Sequence, residues 1–314
     1  HKEYRRQRQM CIRDSPRVHR KKHVQTTLGA YEVHIAMEGF ASIRHVASGE
    51  IMHSRTPPME EAQALYVDQS FLSERVRLKE GESKENAKPL VVWDVGLGAA
   101  ANAMAAIRCY EEQAKLGKVR PMQIVSFEND LDSLKLAMRH SDRFEYLRHG
   151  GPAWILRQGH WRSREFPGLE WVLLEGDFLQ KMHEAQWVPE LIFYDMFSGK
   201  TCGEQWTHAL FEKLYGVCGD GGTELFTYTC STASRVAMLA AGFFVARGRN
   251  AGDKEETTIA FTSAALKNGY IQRHEQLGLD WFGRWNRSAA RVPANFSEDE
   301  QGEVIRKIEG HPQF

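Results

Sequence analysis

From Pro89 to Thr262 the chain alternates short apolar runs with longer stretches of helical period. Seven runs are rich in β-branched and aromatic residues: Leu90–Val95, Gln123–Phe127, Glu170–Leu174, Leu191–Tyr194, Thr223–Tyr228, Phe243–Arg247 and Thr257–Thr262. Between most of them the spacing predicts helices over Ala99–Leu116, Leu131–Leu147, Gln205–Cys218 and Ser231–Ala241. Continuous apolar runs suit strands covered on both faces, and alternation with helices makes such strands mainly parallel. The last two runs have no helix between them. They predict an antiparallel hairpin around Gly248–Glu256.

Upstream the pattern changes. Gly29–His45 alternates like a short strand pair, and Pro57-Pro58 then stops the chain. Ala62, Leu65, Tyr66, Phe71 and Leu72 recur at helical spacing and predict one helix over Met59–Arg75. Lys79–Lys88 is a charged linker whose one apolar residue is Ala87. After Ala265 the chain is polar and aromatic, with Trp281, Phe282 and Trp285 before an acidic stretch at Glu298–Glu303. The expected division is a basic arm over 1–28, an N-terminal extension over 29–88, an α/β domain over 89–265 and an appendage over 266–314. The arm contains Met10-Cys-Ile-Arg-Asp-Ser15. It reads either as non-native over its first fifteen or so residues or as a contact for RNA phosphates.

Composition narrows the function. Hydrophobic residues are 42% and charged residues 26%, so the chain has enough apolar material to fold. Lysine plus arginine equals aspartate plus glutamate at 41 each, which excludes a protein-wide field for nucleic acid but not a local patch. One such patch is Arg139, Arg143, Arg148, Arg157, Arg162 and Arg164 with Trp154 and Trp161 interleaved. It reads as an RNA surface or as a solvated helix face over core tryptophans. No apolar run reaches the length of a membrane span, and the first thirty residues lack a secretory apolar stretch, so the expectation is a cytoplasmic protein. Five scattered cysteines, none in C-x-x-C spacing, predict reduced thiols and no zinc site. His140, His149 and His160 also lack metal-ligand spacing, so no metal is expected.

In an open α/β sheet, ligands bind beyond the carboxyl ends of the strands. Four such ends carry informative residues. Asp94-Val-Gly96-Leu97-Gly98-Ala-Ala-Ala101-Asn102 is a strand, a small-residue turn and a helix start. Its glycines let backbone approach a ligand faced by helix N-terminal N–H groups. The loop fits S-adenosylmethionine, and Gly96-x-Gly98-x-x-Ala101 also satisfies the dinucleotide fingerprint. Glu128, thirty-two positions past Gly96, can accept both hydroxyls of an adenosine ribose. Asp177 could accept from an adenine amino group or cap a helix. Asp195 stands at the cleft mouth. Gly199-Lys200-Thr201 is no phosphate-binding loop, because Tyr194 occupies the required glycine position.

These motifs resemble those of the methyltransferase domain of MnmC, a bifunctional enzyme that completes 5-methylaminomethyl-2-thiouridine at the tRNA wobble position. Gly96-Leu-Gly98-Ala-Ala-Ala-Asn102 resembles that family's G-F-G-T-G-L-N, and Ser126-Phe127-Glu128 its S-F-E. Gly176-Asp177, Asp195-Met-Phe197 with Trp206, Gly221-Gly222-Thr223, Thr227-Tyr228-Thr229 and Ala241-Gly242-Phe243 follow in the family's order. Pro58-Met-Glu60-Glu61 resembles its G-L-E-E, and the match runs roughly from Glu38 to Thr262. Two segments depart: Ser198-Gly-Lys-Thr-Cys-Gly203 replaces A-P-A-K-N-P, and Lys254-Glu255-Glu256 replaces K-R-E.

The resemblance implies a class I, Rossmann-like methyltransferase fold: a mostly parallel seven-stranded sheet with a C-terminal antiparallel hairpin. It implies S-adenosylmethionine as cofactor, held by Glu61, Gly96, Leu97, Gly98, Asn102, Glu128, Asp177 and Asp195. It implies Asp195 as the catalytic residue, Phe197, Trp206, Tyr228 and Lys254 on the substrate side, and tRNA as partner. The family's flavin-dependent oxidase half has no counterpart in the residues present, so no flavin is expected. A nicotinamide-dependent oxidoreductase and a non-catalytic RNA-binding module are the alternatives.

Overall fold

The computed structural model describes residues 25–83, 86–218, 221–250, 256–288, 291–292 and 298–314. A small antiparallel sheet comes first, from β1 (Thr27–Leu28), β2 (Tyr31–Ile35) and β3 (Ala41–His45). The large sheet holds β4 (Leu90–Val95), β5 (Met122–Glu128), β6 (His160–Arg162), β7 (Leu169–Glu175), β8 (Leu191–Tyr194), β9 (Glu224–Thr227), β10 (Phe244–Gly248), β11 (Thr257–Phe261) and β12 (Glu275–Gln276). Its order is β12-β10-β11-β9-β8-β4-β5-β7-β6. The five central strands from β9 to β7 are mutually parallel, and β11 and β10 close the far side antiparallel. All seven expected strands are there, within a residue or two at their ends.

Among the described residues the sheet is nine-stranded, however, not seven-stranded. The additions are the antiparallel edge strands β6 and β12, with burial patterns that are exposed or intermediate throughout. Edge strands this short bury no face, so they leave no apolar period to read. The expected hairpin is formed by Phe244–Gly248 paired with Thr257–Phe261; residues 251–255 of its turn lie outside the described residues.

All six residues of β4 are buried, and each face of the sheet has its own core. Leu90, Val92 and Ile124 pack toward the helix Ala101–Leu116, while Val91, Trp93 and Phe127 face the side covered by His208–Cys218 and Thr232–Ala240. The alanine-rich start of Ala101–Leu116 is buried all round, from Ala101 to Ile107, which lets it lie close on the strands.

Two helices differ from expectation. Met59–Arg75 is broken: Pro58–Ala62 is α-helical, Gln63–Asp68 is a π turn, and Phe71 at φ +55° separates them from Leu72–Arg75. The Ser70 hydroxyl donates back to the Tyr66 carbonyl, a local bond that competes with helix continuation. Phe71 is held in its unusual conformation by stacking on Tyr270 and by the Arg273 guanidinium 4.5 Å from its ring. Leu131–Leu147 shortens to Asp132–Arg139, and Gly150–Gln158 forms a separate helix. Gly150-Gly151-Pro152 occupies the first turn of that helix, where proline loses no hydrogen bond.

The segment after Ala265 packs on the second core through Trp281, Trp285, Val304 and Ile308. Gln313 extends the contact: its side chain bonds both the N–H and the carbonyl of Val245.

Candidate active site

Strand order reverses at β4, with β5 and β7 on one side and β8 and β9 on the other, which leaves a crevice at their carboxyl ends. A cavity of about 640 Å³ occupies that crevice. Its floor is the turn after β4. The N–H groups of Gly96 and Leu97 both donate to the Phe127 carbonyl, which bends the chain sharply into Ala101–Leu116. Gly96 has φ +85°, and a Cβ there would lie 2.7 Å from the Asp195 carbonyl oxygen and 3.0 Å from Met196 Sδ. Only glycine brings the two strand ends this close.

Two carboxylates converge on the turn. Glu128 accepts from the N–H groups of Gly98 (3.0 Å), Asn129 (2.9 Å) and Asp130 (3.0 Å). Burial raises its pKa and these three bonds oppose the rise without cancelling it. Asp195 accepts from Asn102 Nδ2 at 2.8 Å. Burial raises its pKa too, against the lowering charge of His53 and the Asn102 bond. Beneath them, Asp94 is fully buried, accepts from Ser126 Oγ at 2.7 Å, and is pushed up to about 7 by burial.

The N-terminal segment supplies the rest of the wall. Tyr31, His45, Glu50, Met52, His53 and Glu61 all line the cavity. His53 Nδ1 and Glu61 Oε2 are 2.8 Å apart. Glu50 accepts from the Ser198 N–H (2.8 Å), Ser198 Oγ (3.0 Å) and Thr201 Oγ1 (2.5 Å), which ties the segment to the loop after β8. The His45 ring lies 5.7 Å from Phe197, beside Tyr31.

Nine of the expected site residues therefore meet at one cavity: Glu61, Gly96, Leu97, Gly98, Asn102, Glu128, Asp195, Phe197 and Tyr228. Two stand behind the wall. Asp177 does not line the cavity; its carboxylate caps Phe178–Lys181 and accepts from Gln205 Nε2 at 3.3 Å, and Gln205 is a lining residue. Trp206 is buried and donates from Nε1 to the Phe197 carbonyl at 2.8 Å, while the Tyr228 hydroxyl donates to that of Met196 at 3.0 Å. Lys254 lies outside the described residues, as do Cys11 and the arm up to residue 24. The sequence reading missed Glu50 and His53. Neither belongs to a motif, and each reaches the site only through folding of the N-terminal segment. The arginines from Arg139 to Arg164 are all exposed and none lines the cavity; Arg162 is paired with Glu170.

The cavity suits an adenosine-bearing sulfonium. Its volume lies in the range of small-molecule pockets. Gly96 and Gly98 form a cradle that side chains would fill, and the buried Asn102 Oδ1 has no hydrogen-bond partner among the described residues. Among those residues no group of three or more His, Cys, Asp or Glu converges as metal ligands would, and no helix is long and apolar enough to cross a membrane.

Residues 152–263 match a family described as S-adenosyl-L-methionine-dependent methyltransferase. The chain is an S-adenosylmethionine-dependent methyltransferase. It resembles the methyltransferase domain of MnmC. The tRNA 5-methylaminomethyl-2-thiouridine biosynthesis bifunctional protein MnmC of Aeromonas hydrophila is 24% identical over 219 residues, 66% of this chain and 32% of that protein. The Chromobacterium violaceum protein of the same name is 23% identical over 264 residues, 78% of this chain and 36% of that protein. The methyltransferase thus spans about a third of the length of these curated relatives. Its fold is similar to that of the crystal structure of MnmC2 from Aquifex aeolicus, with a TM-score of 0.61 at 19% identity, covering 90% of this chain and 84% of that one.

Proposed function

We propose that this methyltransferase N-methylates an aminomethyl group on the wobble uridine of tRNA. The observation that carries the reading is Asp195, which lines the cavity with its carboxylate fixed by Asn102 and with Phe197 and Tyr228 beside it. The names of the MnmC relatives support the tRNA acceptor. Bound S-adenosylmethionine supplies an electrophilic methyl group. Glu128 receives the ribose hydroxyls, and the Gly96-Leu97-Gly98 backbone with Asn102 and Glu61 encloses the remainder. Asp177 acts through Gln205. Phe197 and Tyr228 wall the acceptor base, Trp206 fixes Phe197 through its carbonyl, and Lys254 contributes on the acceptor side. Asp195 orients the amine along the line of transfer, an arrangement that converts binding into rate. In this reading residues 89–265 are the methyltransferase domain, 29–88 an N-terminal extension that walls its cavity and 266–314 a packed appendage, and the enzyme works in the cytoplasm.

Asp195→Asn tests the assignment because it keeps shape and removes charge. Single-turnover transfer to tRNA lacking its wobble modification should fall by about 10²–10⁴. Cofactor affinity, measured by calorimetry, should stay within a few-fold. Full activity in the variant would sink the reading, and parallel loss of cofactor binding would make Asp195 a cofactor ligand instead.

A further inference from the structure

Beside Asp195 the cavity holds an imidazole that none of the sequence motifs marks. His53 is 8% exposed and lines the cavity, and its backbone N–H donates to the buried Ser42 hydroxyl at 3.0 Å. Glu61 engages Nδ1 at 2.8 Å, and the hydrogen bonds of His53 among the described residues are those of its backbone N–H and Nδ1, not of Nε2. A histidine with one nitrogen held by a carboxylate and the other open to a cavity has the arrangement of a general base.

We propose that His53 accepts the proton that the acceptor ammonium must lose before it can attack, an inference that rests on the amine acceptor proposed above. Glu61 holds the Nδ1–H tautomer and leaves the Nε2 lone pair facing the amine. The ammonium gives one proton to Nε2 and keeps the bonding pair as a lone pair. That pair forms the new N–C bond as the C–S bond breaks and its electrons stay on sulfur. The product carries the positive charge that the sulfonium loses, and the imidazolium returns its proton to water.

The surroundings strengthen the base. Glu61 faces it from Pro58–Ala62, Asp195 from the end of β8, Tyr66 and Tyr228 stand near those carboxylates, and Arg55 lies on its own segment. Burial by itself lowers the basicity of His53, but the Glu61 bond and the charges of Glu61 and Asp195 lift it above that of free imidazole.

His53→Asn is the informative variant, since its amide can still donate to Glu61 but cannot take a proton. S-adenosylmethionine affinity should stay within about threefold. Single-turnover transfer to hypomodified tRNA should fall by about 10²-fold at pH 7 and recover toward pH 9, where solvent deprotonates the amine. A wild-type pH profile in the variant, or loss proportional to cofactor affinity, would overturn the role of His53. If the variant does not fold, an NMR titration of the histidine ring in the unaltered protein decides: Nε2 protonated in the neutral form would overturn it equally. A wild-type enzyme that transfers no methyl group to tRNA or to a small amine removes the acceptor reading and this inference together; activity in the wild type with no change of profile in the variant removes only this one.

Discussion

Gly96→Ala puts the closest contact in the site under stress. The added methyl group would sit 2.7 Å from the Asp195 carbonyl oxygen, 3.0 Å from its carbonyl carbon and 3.0 Å from Met196 Sδ. Neither backbone can step aside cheaply. Gly96 donates to the Phe127 carbonyl at 3.1 Å, and Asp195 donates to that of Val95 at 2.9 Å, so both are locked to neighbouring strands. A non-glycine residue at φ +85° costs about 1–2 kcal/mol, and overpacking adds about 1–3 kcal/mol. The sum, about 2–5 kcal/mol, lies below the stability of a typical domain, so the variant should fold with its melting temperature lowered by roughly 5–15 °C. Gly39→Ala is the control: φ there is +91°, but nothing lies within 4 Å of the added Cβ, so it carries the strain alone. The measurements are thermal unfolding and a calorimetric titration with S-adenosylmethionine. Gly96→Ala should bind at least tenfold more weakly, because the strand ends that frame the cavity must part, while Gly39→Ala should bind as the wild type does. Equal melting temperatures and equal affinities in the two variants would refute the idea that this contact shapes the cofactor site.

Two further outcomes follow from the carboxylates. Glu128→Ala should weaken S-adenosylmethionine binding about tenfold or more, since it removes the proposed ribose acceptor and frees the N–H groups of Gly98, Asn129 and Asp130; unchanged calorimetric affinity would remove Glu128 from the site. Asp94 keeps its proton up to about pH 7 in the folded state, well above the ordinary carboxyl value of 3.8. Between those limits the unfolded chain has released the proton and the folded one has not, so this group makes stability fall as pH rises, by at most about 4 kcal/mol. Asp94→Asn should therefore flatten the decline of melting temperature from pH 5 to pH 8, and an unchanged slope would show that Asp94 does not control it.

The sequence by itself determined the strands and which residues stand at their ends. Apolar runs such as Leu90–Val95 read as buried strands because residues on both faces must leave water, and the glycine turn after them was legible because few other residues allow it. Glu128 and Asp195 were legible for a related reason: an acid directly after a buried strand has a place in the fold set by that strand. Tertiary structure decided what comes from afar. Glu50 meets Ser198 across 148 positions, and His53 lines the same cavity as Asp195 only because the segment after β3 runs beside the crevice. No local pattern announces such meetings, since one carboxylate or imidazole in a polar stretch looks like any solvated side chain until packing removes the water around it. The edge strands β6 and β12 were invisible on the same principle: they gain ladder hydrogen bonds without burying a face, and only buried faces write a period into the sequence.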